Sequence, residues 1–191
     1  MTEAPKTEAM HIEEARAKLL DAALMHVVFD GWTTATFDAS VADSGVDAGL
    51  ALQACPRRGV DLAVAYHKAG DAAMVAALNA ADLEAMRYSE RVAFAVRARL
   101  EAADKEAVRR GMSLFTLPQY AAEGTGLVFS TVSLIWEALG DTSTDVNWYT
   151  KRATLAGVYS AVLLYWLGDE SDGCRRHLGL FGPPHPRCYA D

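Results

Sequence analysis

The sequence predicts an all-α fold on three observations. Alanine is abundant, no stretch alternates apolar and polar residues as a half-buried strand would, and glycine and proline fall mostly between long segments of three-to-four-residue periodicity. At 191 residues the chain fits one domain, or one domain with a tail, and is long enough to bury a core of its own.

A first helix is expected over about 11–28, where Ile12, Ala15, Leu19, Ala22 and His26 recur on one side before "FDGW" ends it. Two short helices, about 33–43 and 47–54, flank "DSGVD". After the break at "CPRRG" a fourth helix runs over about 59–79, and 82–104 reads as a fifth with Val92, Val96 and Leu100 down one side. "KEAVRRGMSLFT" makes a shorter sixth. Pro118 suits the first turn of a seventh, about 118–139, because proline is tolerated where the N–H has no intrahelical partner. Gly140 closes it, and "DVNWYTKRATLAGVYSAVLLYWLGDE" forms the eighth. The expected organisation is a three-helix unit over 10–56, a larger helical domain over 57–168 and an irregular Gly/Pro-rich tail over 169–191.

Two short helices joined at a glycine after a longer one outline a helix-turn-helix, and the layout resembles the TetR regulator fold. A DNA reader needs cations for phosphate and hydrogen-bonding side chains for base edges. Between Leu19 and Pro56 there is no Lys or Arg, while Asp21, Asp30, Asp38, Asp43 and Asp47 lie there, and Gln53 alone offers a base contact. The net charge of -7 points the same way, so nucleic acid is not an expected partner. A TetR-like ligand-responsive regulator is the alternative reading.

Cys55, Cys174 and Cys188 are odd in number and include no CxxC, which fits a reducing compartment better than a disulfide framework. The N-terminus carries four Glu before residue 15 and no apolar core, so it reads as neither a secretory nor a transit signal. That leaves a bacterial chain or one whose presequence is missing. The longest uncharged run, 153–168, falls short of the ~20 residues of a spanning helix.

"HVVFDGW" at 26–32 and "GDTSTDVNWYTKRATLAGVY" at 140–159 resemble the two signature segments of the ubiquinone-biosynthesis accessory family, the ninth numbered coenzyme Q factor. The resemblance implies a non-enzymatic homodimer of TetR-like fold without DNA binding. It further implies a larger domain that holds an isoprenoid quinone precursor or phospholipid and presents it to the diiron demethoxyubiquinone hydroxylase. Carried over position by position, the partner-facing patch falls on Asp145, Trp148 and Tyr149. For a bacterial chain the implied place is the cytoplasm at the inner membrane; for a eukaryotic one, the matrix side of that membrane. Transient membrane contact is also implied, although the terminal amphipathic helix of the family is replaced here by a Gly/Pro-rich tail unable to sustain an apolar face.

The residues have readings of their own. Asp145 can cap a helix, and Trp148 shares a stripe with Arg152, Leu155, Tyr159, Val162 and Trp166, so it can finish a core. Adjacent Tyr149 points about 100° away, so at least one ring is expected to be exposed or to face a second surface. Lys151 and Arg152 read as a surface salt bridge, as contacts to a partner's carboxylates, or as contacts to anionic lipid. Ala153, Gly157 and Ala161 form a small-residue stripe fit for a dimer interface. Met74, Leu78, Phe94, Val96, Leu114, Phe115, Phe129, Ile135 and Leu163 are the expected lipid lining, a composition that an ordinary core shares.

Catalysis finds little support: there is no HExxH, GxSxG, P-loop or GxGxxG, and no carboxylate pair at the Glu-x-x-His spacing of a bundle diiron site, which needs that motif twice. No cofactor is expected. His26 reads as a satisfied helix-face histidine, and Cys174, His177, His185 and Cys188 have zinc-compatible side chains in a CxxH…HxxC order, with no metal site assigned to them.

Overall fold

The structure, a computed structural model, describes residues 4–169. They form eight helices: α1 Ala4–Asp30, α2 Thr34–Ser44, α3 Ala48–Ala54, α4 Gly59–Ala80, α5 Tyr88–Glu101, α6 Lys105–Phe115, α7 Ala121–Ala138 and α8 Val146–Gly168. There is no strand among the described residues. The CxxH…HxxC residues, and all of the expected tail but Asp169, lie outside them.

Three boundaries differ from the sequence reading, the first being that α1 already begins at Ala4. The fifth helix starts at Tyr88 because Leu83 N–H bonds Ala81 O and Met86 N–H bonds Leu83 O, which turns the chain. Arg87 is then extended, and its N–H donates to the Glu90 carboxylate at 2.8 Å. Pro118 does not open α7. It sits in a turn closed by Tyr120 N–H to Leu117 O, 2.9 Å, and the helix begins at Ala121.

The chain divides into two compact units, Met1–Ala69 with Asp104–Gly124 and Gly70–Ala103 with Thr125–Asp191. Segment 10–56 thus shares a unit with the start of α4 and with α6. In this first unit α1 packs on α2, α3 and α6 around Leu19, Ala23, Val27, Trp32, Phe37 and Leu62. Trp32 donates its indole N–H to Ala107 O at 3.0 Å. Arg16 closes the end of α3 by donating Nε and Nη2 to Ala54 O at 3.0 and 2.8 Å. Gly45, at φ 66, ends α2, and Asp47 accepts from Gly49 and Leu50 N–H to start α3, which is the turn read from "DSGVD".

Gly59 opens α4 against the backbone of Trp32 and Thr33. A Cβ there would lie 2.5 Å from Thr33 O, and neither partner atom can swing away. Gly59→Ala is therefore expected to cost about 1–3 kcal/mol, read as a lowered urea midpoint; an unchanged midpoint would show that α4 can shift.

The second unit buries Met74 and Leu78 of α4, Val96 and Leu100 of α5, Val132 and Ile135 of α7, and Leu155, Tyr159 and Trp166 of α8. Each of these helices also sends a polar group inward. Arg99 Nε donates to Asp71 Oδ1 at 2.7 Å, Thr131 Oγ1 meets the same oxygen at 2.9 Å, and Tyr159 is buried near both charges. Gly70 makes room for this pair, since a Cβ there would stand 2.5 Å from Arg99 Nη1.

Candidate functional site

The head of α8 is set by the turn before it. Gly140, at φ 78, ends α7, and Asp141 N–H bonds Trp136 O at 2.9 Å, fixing the Asp141 carboxylate under the coming helix. Lys151 Nζ donates to Asp141 Oδ1 at 2.8 Å and to Ser143 Oγ at 2.8 Å. Arg152 Nη1 reaches Asp141 Oδ2 at 3.3 Å, and its Nε donates to Ser133 Oγ at 3.2 Å. Arg152 is only 2% exposed. Of the readings given to Lys151 and Arg152, the surface salt bridge therefore fits Lys151 alone; Arg152 is a core cation, with α7 supplying one partner and the turn another.

Above it, Trp148 is half-buried with the Arg152 guanidinium 4.0 Å from its ring centre. A cation over an indole face is worth roughly 0.5–2 kcal/mol, rising as water is excluded. Tyr149 meets Trp148 edge-on at 4.8 Å and is 68% exposed. Asp145 caps the helix, accepting from Asn147 N–H at 2.9 Å and from its side-chain amide at 3.1 Å. The three partner-patch residues so lie on one end of one helix, with Asp145 and Tyr149 solvent-facing and Trp148 tied to the interior.

Along α8 the inward side carries Arg152, Leu155, Tyr159 and Trp166, the stripe read from the sequence, with Val162 beside it partly buried. The opposite side carries Ala153, Gly157 and Ala161, all exposed, bordered by Val158, Leu164 and Tyr165. No charge interrupts that outward face from Ala153 to Gly168.

The expected lining set is only partly brought together. Met74, Leu78, Val96 and Ile135 are buried in the second unit, with Phe94 and Leu163 partly buried and Phe129 exposed. Leu114 and Phe115 pack instead against the core of the first unit, because the apolar side of α6 serves that core. A groove of about 250 Å³ in the first unit is lined by His11, Glu14, Lys18, Ser44 and Asp47 among others, none of them in the lining set. No group of three or more His, Cys, Asp or Glu is placed to hold a metal ion among the described residues.

A family model described as COQ9 matches residues 121–178, which enclose the whole head of α8. The "Ubiquinone biosynthesis protein COQ9, mitochondrial" of Drosophila melanogaster is 32% identical over 168 residues, 85% of this chain and 51% of that protein. The chain belongs to the COQ9 family. The "Probable ubiquinone biosynthesis protein coq9, mitochondrial" of Dictyostelium discoideum is 25% identical over 172 residues, 83% of this chain and 54% of that protein. Human COQ9 is 40% identical over 62 residues, 32% of this chain and 20% of that protein. This COQ9-family chain thus spans about half the length of the two relatives it matches throughout. Among solved structures, the TetR transcriptional regulator from Nitrosomonas europaea superposes with a TM-score of 0.71 at 18% identity, covering 87% of this chain and 92% of that one. That likeness shows the TetR-like fold.

Within the segment matched by the COQ9 family model, Asp141 has a titration signature. The hydrogen bonds from Lys151 and Ser143 hold its carboxyl down at about 2, below its ordinary 3.8. A carboxyl depressed on folding lends stability above its unfolded value and loses it as pH falls through the folded one. The native chain should therefore lose stability between pH of about 4 and about 2, and Asp141→Asn should lose less over that window; equal slopes in urea melts would show that this carboxylate is not held.

Proposed function

We propose that the chain is a non-catalytic, lipid-binding accessory of ubiquinone biosynthesis that works as a homodimer. It binds an isoprenoid quinone intermediate or a phospholipid within the second unit and presents it to the demethoxyubiquinone hydroxylase. The observation that carries this reading is the division of α8 into an aromatic head turned outward over a buried cation, an inward stripe, and an uncharged outward face. Membership of the COQ9 family supports the pathway.

In this reading Tyr149, Trp148 and Asp145 meet the hydroxylase, as exposed aromatics beside an Arg often anchor interfaces. Ala153, Gly157 and Ala161 let the same helix of a second copy approach closely. Met74, Leu78, Phe94, Val96, Ile135 and Leu163 supply lining for the isoprenoid, each buried methylene of which contributes ~0.8 kcal/mol. The relatives' names place those proteins in mitochondria. For this chain the proposed workplace is the inner-membrane surface where such lipids reside, reached by transient contact; no described helix is long and apolar enough to cross a membrane.

The regulator alternative would need a reading surface for DNA, and α2 offers Asp38 and Asp43, with Asp47 capping α3, in its place. Organic extraction of the purified chain followed by mass spectrometry tests the proposal. A polyprenyl quinone or phospholipid at near one per protomer is expected; repeated lipid-free preparations would overturn it.

A further inference from the structure

We infer that the outward end of α1, formed by Met25, Val28 and Phe29, docks a basic amphipathic helix of another protein. The fold accounts for most of the "HVVFDGW" segment. Val27 is fully buried, Gly31 adopts φ 67, Trp32 fills the first core, and His26 Nε2 meets Asp43 Oδ2 at 2.7 Å. Val28 and Phe29 have no such work in the first unit. Phe29 is 78% exposed, Met25 one turn earlier is 75% exposed, and Val28 between them is 39% exposed. The spacing i, i+3, i+4 puts all three on one side of the helix.

Charge decides what this patch can meet. Exposed Asp21 lies one turn before Met25 on the same side, Asp30 follows Phe29, and Asp43 is held beside α1 by His26. Leu20 through Cys55 contain no Lys or Arg. Two guanidiniums lie at this end: Arg110 donates to Val28 O at 2.9 Å and shares the single Glu106 carboxylate with Arg109, so the acidic surplus of the patch comes from Asp21, Asp30 and Asp43. An apolar patch rimmed by carboxylates repels phosphate and anionic membranes and attracts a helix with leucine-like anchors flanked by Lys or Arg. This surface belongs to the first unit, and the head of α8 to the second.

The test uses the full chain and two labelled synthetic helices of one apolar pattern, one with lysine and one with glutamate at the polar positions, followed by fluorescence anisotropy. The lysine helix should bind, more weakly as salt rises, and the glutamate helix should not. Met25→Ser with Phe29→Ser should weaken binding roughly tenfold or more, while Leu52→Ser at an exposed position of α3 leaves it unchanged. Asp21→Asn with Asp30→Asn keeps the apolar patch and should lose several-fold, together with most of the salt dependence. The inference is overturned if the wild-type chain ignores the lysine helix, if both helices bind alike, or if neither double variant weakens binding while helicity is native. It is equally overturned if the serine variant changes the oligomer's mass, which would make a second copy the occupant, or if the wild type alone captures anionic vesicles.

Discussion

Tyr149→Ala is expected to weaken capture of the hydroxylase about 30-fold or more, the ~2 kcal/mol of an interface anchor, and to leave the melting temperature where it was. The ring is 68% exposed and touches the rest of the protein chiefly through the edge of Trp148, so its removal opens no cavity. Trp148→Ala should behave differently. It removes a half-buried indole and the face on which Arg152 lies at 4.0 Å, so about 2 kcal/mol of stability should go with the affinity. Calorimetry of the two single variants beside their binding curves separates the cases. Were Tyr149→Ala to unfold the chain, or to bind as the wild type does, the outward ring would have no role as an anchor.

Arg99→Met should be the more damaging change to the fold, costing roughly 3–5 kcal/mol, because it takes the paired guanidinium from the buried Asp71 carboxylate. The cost comes mainly from keeping a buried carboxylate without its countercharge. Adding Asp71→Asn to Arg99→Met should then recover much of the loss, since replacing both members of a buried pair is far cheaper than removing one. Urea unfolding of the wild type, the single and the double variant closes the cycle. A double variant no more stable than Arg99→Met would show that the pair's own attraction, or packing of the guanidinium beneath Gly70, dominates.

What could be read from the residues follows the range of the interactions involved. The inward stripe of α8 was legible because periodicity reports directly on a buried helical side, and Arg152, Leu155, Tyr159 and Trp166 all lie there. The role of Arg152 was not, because apolar periodicity does not count a charge as core. Its partner Asp141 comes from a turn eleven residues back, placed by Gly140. The Asp71–Arg99 pair spans 28 residues and two helices, and no local pattern announces such a meeting. Leu114 and Phe115 were recognisable as buried, but hydrophobicity does not say which of two cores a helix serves. Pro118 shows that a residue tolerated at a helix start is equally at home in the turn before it.

The stacking of Trp148 on Arg152 has a thermodynamic consequence. Because the half-buried Trp148 covers a core cation, a partner docking on it as proposed would make docking and folding share a term, and linkage would require each to shift the other. A partner present at a hundred times its dissociation constant would raise the unfolding free energy by ~2.7 kcal/mol if it binds the folded chain alone. Reciprocally, conditions that loosen the turn holding Asp141 would lower affinity without altering a single contact atom. Under the proposed docking, the head of α8 would thus report to its partner whether the domain behind it is intact.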